Sequence, residues 1–336
     1  MNATFAPMPR LAHGGRLDAA RRLFPFAPEP WIDLSTGVNP HAYPAHTWPA
    51  SALTRLPDDD AFAALETAAR LAYRPPPEAQ VVSGAGVQAF IQALPRAFSA
   101  QSVAILGFTY AEHAACWRGA GAQISTVETL DDLVEADVAV IVNPNNPDGR
   151  LVSVQEITTL AQKMARRGGL LVIDESFMDF TPQHSVASLT ALNEVIVLRS
   201  FGKAYGLPGL RLGFALCAPD LATRLRKLLG PWAVSGPALT IGVQALQDPE
   251  WLAAAALARQ ADSARLDALL RDAGFVVVGG ATLFRLAIHS EARSRFLTLG
   301  QHGVLTRDFV ERPEWLRFGL PGDEAAWGRL AMALKA

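Results

Sequence analysis

Cysteine is nearly absent: Cys116 and Cys217 are the only two in 336 residues. They are too few and too far apart in sequence for a disulfide framework or a cysteine zinc site. His41, His46, His113, His184, His289 and His302 show no metal spacing; they read as surface or loop residues, and no metal is expected. No apolar run approaches the roughly 18 residues of a membrane helix. The first residues lack a basic stretch followed by an apolar one, so no signal peptide is expected. Lys and Arg number 30 against 32 Asp and Glu, a net charge of −2. The basic face that nucleic acid requires is therefore missing. Internal repeats are lacking too, and Pro75-Pro76-Pro77 reads as a surface turn. What remains is a cytoplasmic globular protein without nucleic-acid or membrane partners.

Half of the residues are hydrophobic, enough to bury a sizeable core and to exclude disorder. The length suits two domains, or one large α/β domain with an appendage. The first 50 residues, rich in Pro, Gly and His, read as an arm and loops. Asp59 to Tyr73 is amphipathic, with Phe62, Leu65, Ala69 and Ala72 on one face. Apolar runs follow at Val81-Val82, Val103 to Leu106, Val138 to Val142, Leu170 to Ile173 and Val195 to Leu198. Helical stretches at Val87 to Phe98, Tyr110 to Gly119 and Ser153 to Arg167 lie among them. Unbroken β-branched runs alternating with helices predict strands buried on both faces, hence a mostly parallel sheet. After Pro237 the chain turns helical, with Pro249 opening a long helix and Gly274 closing it. Phe275 to Val278, Thr282 to Ile288, Glu291 to Gln301, Val304 to Thr306 and a last helix from Asp323 predict a small α+β domain. The predicted division is a large α/β domain over 45–235, with 1–44 and 236–336 forming an arm and the small domain.

Four segments carry chemistry. Ser200 to Gly213 follows a β-branched strand and holds four glycines and two charges in fourteen residues. A lysine there, Lys203, is partly desolvated, which favours the neutral amine needed for a Schiff base. Arg211 supplies a planar cation for a phosphate or carboxylate. A lysine and arginine on a mobile surface loop would not need so many glycines. Asp174 ends the run Leu170 to Ile173, where ligands sit in open α/β sheets. A carboxylate there suits a protonated ring nitrogen, and equally suits a helix N-cap. Asn143-Pro144-Asn145-Asn146-Pro147-Asp148-Gly149 is a turn whose pre-proline asparagines are held extended. Ser83-Gly84-Ala85-Gly86 runs from a strand into a helix and leaves backbone N–H groups for a phosphate.

Together, in this order and with 29 residues from Asp174 to Lys203, these segments resemble the fold-type I pyridoxal-phosphate enzymes. The resemblance covers essentially the whole chain. It implies a mostly parallel seven-stranded-type sheet between helices, a small α+β domain, a homodimer, and pyridoxal 5'-phosphate as cofactor. It further implies that Lys203 carries the cofactor and moves the proton, and that Asp174 pairs with the pyridine nitrogen. Asn146 would contact the phenolic oxygen and Tyr110 stack on the ring. Ala85 and Gly86 amides, Ser200 and Arg211 would hold the phosphate, and Arg317 would fork onto a substrate carboxylate. Two positions depart from the family's pattern. Phe177 stands where a tyrosine usually donates to the phenolic oxygen. Leu56 stands where a tyrosine usually reaches the neighbouring subunit's cofactor phosphate.

The arm points to a branch. His13-Gly14-Gly15-Arg16 followed by Ile32 to Pro40 looks like the branch that decarboxylates O-phospho-L-threonine to aminopropanol phosphate in cobalamin biosynthesis. The resemblance makes His13, Gly14, Asn39 and Arg307 donors to a substrate phosphate. By themselves His13 reads as an exposed arm residue, and Arg307 as an ion-pair partner of Asp308 or Glu311. The substrate is thus a small phosphorylated amino acid or amine. Amino transfer on histidinol phosphate is the competing activity. A binding module that has lost catalysis is a third reading, opposed by the intact Lys203, Asp174 and Arg211.

Overall fold

The structure, a computed structural model, describes residues 14–45 and 47–336. These residues form two compact units: those up to Pro40 with Arg259–Ala336, and His41–Ala258. The division falls later than the predicted 235/236. The reason is local packing: helix Gly236–Leu246 lies against helix Asp59–Tyr73. It puts Ala238, Leu239, Ala245 and Leu246 into the larger unit's core. Helix Pro249–Asp272 contributes residues to both units.

The larger unit is built on a seven-stranded sheet. Its spatial order is Gln80–Gly84, Gly213–Cys217, Val195–Ser200, Leu170–Asp174, Val138–Val142, Ser102–Leu106 and Gln123–Val127. Only Gly213–Cys217 runs against the others. Every residue of Val138–Val142 and Leu170–Asp174 is buried, which is why both read as continuous apolar runs. Ile141, Ile173 and Val197 feed one core, while Val140, Val172 and Leu198 feed the other. Helices Val87–Ala97, Ala111–Gly119 and Val154–Ala165 connect the parallel strands. Ser153 and Glu156 close a capping box on the third of these. Asp58 caps Asp59–Tyr73 by accepting from the Ala61 amide at 2.9 Å.

Two strands of the larger unit escaped the sequence pattern, as did Trp315–Gly319 in the smaller one. Gln123–Val127 is an edge strand with no fully buried residue, so its polar side chains gave no apolar run. Gly213–Cys217 is fully buried, but it opens inside the glycine-rich segment, just after the 3₁₀ turn Pro208–Leu210, and so did not stand out as a separate run.

The arm also holds more than loops. Helix Leu17–Leu23 forms there, and Ile32–Asp33 pairs in parallel with Val304–Leu305. That two-residue ladder exists only because a distant segment supplies its partner. The smaller unit further contains an antiparallel sheet in the order Arg307–Asp308, Trp315–Gly319, Phe284–Ile288 and Val276–Ala281. Helices Ala292–Gln301 and Glu324–Lys335 complete it. Gly274 follows the long helix at φ +83°, the left-handed geometry that a C-terminal glycine accepts without strain. Among the described residues no helix is long and apolar enough to cross a membrane.

Candidate active site

The parallel strands of the larger unit end on a cavity of about 190 Å³, where ligands of open α/β sheets lie. Lys203 lines it from the short helix Phe201–Ala204, directly after strand Val195–Ser200. Its Nζ stands 5.5 Å from the centroid of the Phe177 ring, so one wall near the amine is apolar. Asp174 lines the cavity from the last position of its strand. The carboxylate is buried, with Oδ2 3.0 Å from His113 Nε2 and Oδ1 accepting from the Ser176 amide at 2.9 Å. Burial by itself would raise the Asp174 pKa, but His113 and Ser176 outweigh it and hold the group below its usual value. The site therefore keeps an ionised carboxylate in a dry environment.

His113 corrects the sequence reading. It is 1% exposed, not a surface residue, and helix Ala111–Gly119 carries it beneath Tyr110. Its position three residues after Tyr110, on the first turn of that helix, was the available signal. Tyr110 itself lines the cavity, edge-on to His113 at 6.3 Å, with its hydroxyl donating to Gln88 Oε1 at 3.1 Å. Burial, then Glu112 and Asp174, push its phenol up to about 12, so it stays neutral at physiological pH.

The opposite end of the cavity is an anion cradle. Gly86 has φ +83° and immediately precedes helix Val87–Ala97. A Cβ on Gly86 would sit 2.8 Å from Arg211 Nη2, so glycine lets the guanidinium reach the helix terminus. A Cβ on Gly213 would sit 2.7 Å from the Val87 nitrogen; here too a bare backbone permits the approach. Amides at a helix N-terminus, a guanidinium and Ser200 line this end together, groups whose chemistry suits a phosphate. Asn146 lines the same cavity. Ala85 does not: its residue is exposed and lies outside the lining. Gly86, Val87 and Gln88, the residues that follow it into the helix, do line the cavity. An amine, a buried ionised carboxylate and an anion cradle in one cavity match the aldehyde, ring nitrogen and phosphate of pyridoxal phosphate. The residues present fit that cofactor.

The smaller unit gathers most of the other named residues. His13 lies outside the described residues. Gly14 packs so closely on Ser35 that a Cβ would come within 2.3 Å of the Ser35 carbonyl oxygen. The Gly15 amide donates to Ser35 Oγ at 2.7 Å, and the Ser35 amide and hydroxyl both donate to Asp33 Oδ1. Arg317 Nη2 donates to the Ser35 carbonyl. Arg307 is directly opposite Arg317 in the antiparallel register. Burial, then Arg307, push the Arg317 pKa down to about 10; burial also lowers that of Arg307. Like charges facing across strands repel, and an anion between them would remove the cost. Asp308 ion-pairs with Arg293 at 3.2 Å. Asn39 is buried and accepts from Arg259 Nη1 at 3.4 Å. Ser35, which the sequence reading passed over, is what links Gly14 and Gly15 to Arg317. Among the described residues no cluster of three or more His, Cys, Asp or Glu side chains is placed to hold a metal.

A fold of this kind with a lysine, a buried aspartate and a phosphate cradle defines a class of cofactor enzymes. The family model of Aminotransferase class I and II matches residues 29–334, and the chain belongs to this family. It is 43% identical over 327 residues to a threonine-phosphate decarboxylase of Pseudomonas aeruginosa, covering 96% of this chain and 97% of that one. It is 41% identical over 335 residues to a threonine-phosphate decarboxylase of Sinorhizobium sp, at the same coverage. Among solved structures, the histidinol-phosphate aminotransferase of Sinorhizobium meliloti in complex with pyridoxal-5'-phosphate superposes with a TM-score of 0.83. That match covers 99% of this chain and 97% of the other at 21% identity, a likeness of fold.

Proposed function

We propose that the chain is a pyridoxal-phosphate-dependent lyase that decarboxylates O-phospho-L-threonine to aminopropanol phosphate, a step of cobalamin biosynthesis, as a cytoplasmic homodimer. The observation that carries this reading is the 43% identity, over nearly the full length of both chains, to a threonine-phosphate decarboxylase. The geometry supports it: Arg307, partly buried, faces the buried Arg317 in register, two cations suited to a substrate bearing both a carboxylate and a phosphate.

When bound, pyridoxal phosphate supplies an electron sink conjugated to the reacting Cα. Lys203 would hold the cofactor through its Nζ and would carry the proton at that atom. Asp174 keeps a proton on the ring nitrogen, and His113 keeps Asp174 ionised and oriented. Tyr110 would cover the ring and Asn146 would meet its phenolic oxygen. Gly86, Ser200 and Arg211 would hold the cofactor phosphate. Arg317 takes the substrate carboxylate, while His13, Gly14, Asn39 and Arg307 serve the substrate phosphate.

The test uses the loaded enzyme and one amino substrate at a time, with no keto acid. O-phospho-L-threonine should release carbon dioxide through many turnovers while the cofactor spectrum stays in the aldehyde form. No gas from it, together with conversion to the amine form by histidinol phosphate, would replace this reading with an aminotransferase.

A further inference from the structure

Behind the cavity, the larger unit buries three charged side chains that the proposed reaction leaves unused. Glu175, Arg199 and Asp179 are 0%, 3% and 5% exposed. Arg199 Nη1 donates to Glu175 Oε2 at 2.7 Å, and Nη2 donates to Asp179 Oδ1. Ser185 Oγ and the Val186 amide also donate to Glu175, each at 2.7 Å. The guanidinium carbon sits 4.4 Å from the centroid of the Tyr73 ring. Removing three charges from water is costly, and apolar residues of similar size often do as well for stability. Such a cluster is therefore poorly explained as a stability device.

Its place in the sheet supplies an explanation. Asp174 is paired in register with Leu198 on the neighbouring parallel strand. Arg199 is the next residue of its strand, and Glu175 directly follows the end of the other and continues its pairing, its amide donating to the Leu198 carbonyl at 2.9 Å. Side chains alternate between faces along a strand. Val172 and Leu198 pack in one core, Ile173 and Val197 in the other. Asp174 thus projects on the cavity's side, while Glu175 and Arg199 meet on the reverse side. The ion pair ties together the strand that ends in Asp174 and the strand that leads through Ser200 to Lys203.

We propose that Arg199, clamped by Glu175 on the face of the sheet away from the cavity, is a positioning residue that sets the placement of Asp174 relative to Ser200 and Lys203. A planar guanidinium held by Glu175 on the adjoining strand's continuation fixes both the distance and the direction between the two chain segments, which a flexible ammonium does not. Asp179, five residues past the strand end and not continuing the ladder as Glu175 does, steadies the guanidinium without tying the strands. The proposal rests on the cofactor reading above, since it assigns a cause to the geometry of that site.

The experiment measures the dissociation constant of pyridoxal phosphate from apoenzyme by quenching of tryptophan fluorescence. Each variant is first shown to be folded by circular dichroism at the temperature used. Arg199→Lys should weaken binding by about tenfold or more, the order expected when reacting groups are displaced by a fraction of an ångström. Glu175→Gln should shift it in the same direction, and Asp179→Asn should leave it within about twofold. If Arg199→Lys does not fold, Glu175→Gln against Asp179→Asn decides the matter. A folded Arg199→Lys that binds as the parent does would overturn the proposal. So would an Asp179→Asn that weakens binding as much as Glu175→Gln, because general loosening would then be the cause. A parent that binds no pyridoxal phosphate would overturn the cofactor reading and this proposal together, whereas a binding parent with a binding Arg199→Lys would overturn this proposal alone.

Discussion

At the scale of single residues, the site is a matter of which charges are kept and how. Asp174 stays ionised although buried, because His113 and Ser176 meet both of its oxygens. Asp174→Asn should still load cofactor but lose about 10²–10³-fold in kcat, since an amide cannot hold the ring proton that strengthens the electron sink. Single-turnover rates with O-phospho-L-threonine measure this, and an unchanged rate would make Asp174 a cap. The same pair has a pH consequence. A carboxylate held below its unfolded pKa contributes stability that is present above that value and lost as pH falls through the folded one. His113→Leu should therefore move acid unfolding, followed by urea titration across the acid range, to higher pH. The buried Glu175 and Asp179 behave oppositely. Burial pushes both carboxyls up, so the folded state binds their protons more tightly and stability falls as pH rises above about 4. Asp179→Asn should flatten that fall, and an unaltered slope would show that Asp179 does not titrate in this range.

At the scale of elements, helices and strands are recognisable where a signal is contiguous. The predicted Asp59 to Tyr73 helix matches the observed bounds because its cap and apolar face both lie in the segment. Leu170–Asp174 was legible because every residue is buried. The edge strand Gln123–Val127 was not, since only pairing with Ser102–Leu106 defines it. Strand Gly213–Cys217 and helix Val87–Ala97 meet where only a missing side chain permits contact. Gly213→Ala should cost about 1–3 kcal/mol, as overpacking does, and should also weaken the cradle that Gly86 and Arg211 form. Chemical denaturation of apoenzyme with and without inorganic phosphate reads both effects. Equal phosphate stabilisation in parent and variant would separate the strand's approach from the anion site.

At the scale of the whole molecule, the cofactor cavity lies within His41–Ala258. Pyridoxal phosphate at a hundredfold excess over its dissociation constant should stabilise the native state by about 2.7 kcal/mol. Hydrogen exchange should slow in Leu170–Asp174 and Val195–Ser200; protection confined to Arg259–Ala336 would contradict the placement. The sequence by itself determined the mostly parallel sheet and the family, and it singled out Lys203, Asp174 and Arg211, which the fold brings to one cavity. Each of these is announced by its immediate neighbours, whether a buried run ending in an acid or a glycine-rich turn after a strand. Tertiary structure decided what depends on which segments become neighbours. It brought His113 from a helix 61 residues earlier in the chain to Asp174 and left Ala85 outside the cavity. It also set Arg307 against Arg317 and closed Arg199 onto Glu175 and Asp179. Local chemistry is written in contiguous residues, but the partner of a buried charge is chosen by strand order and register, which only the folded chain supplies.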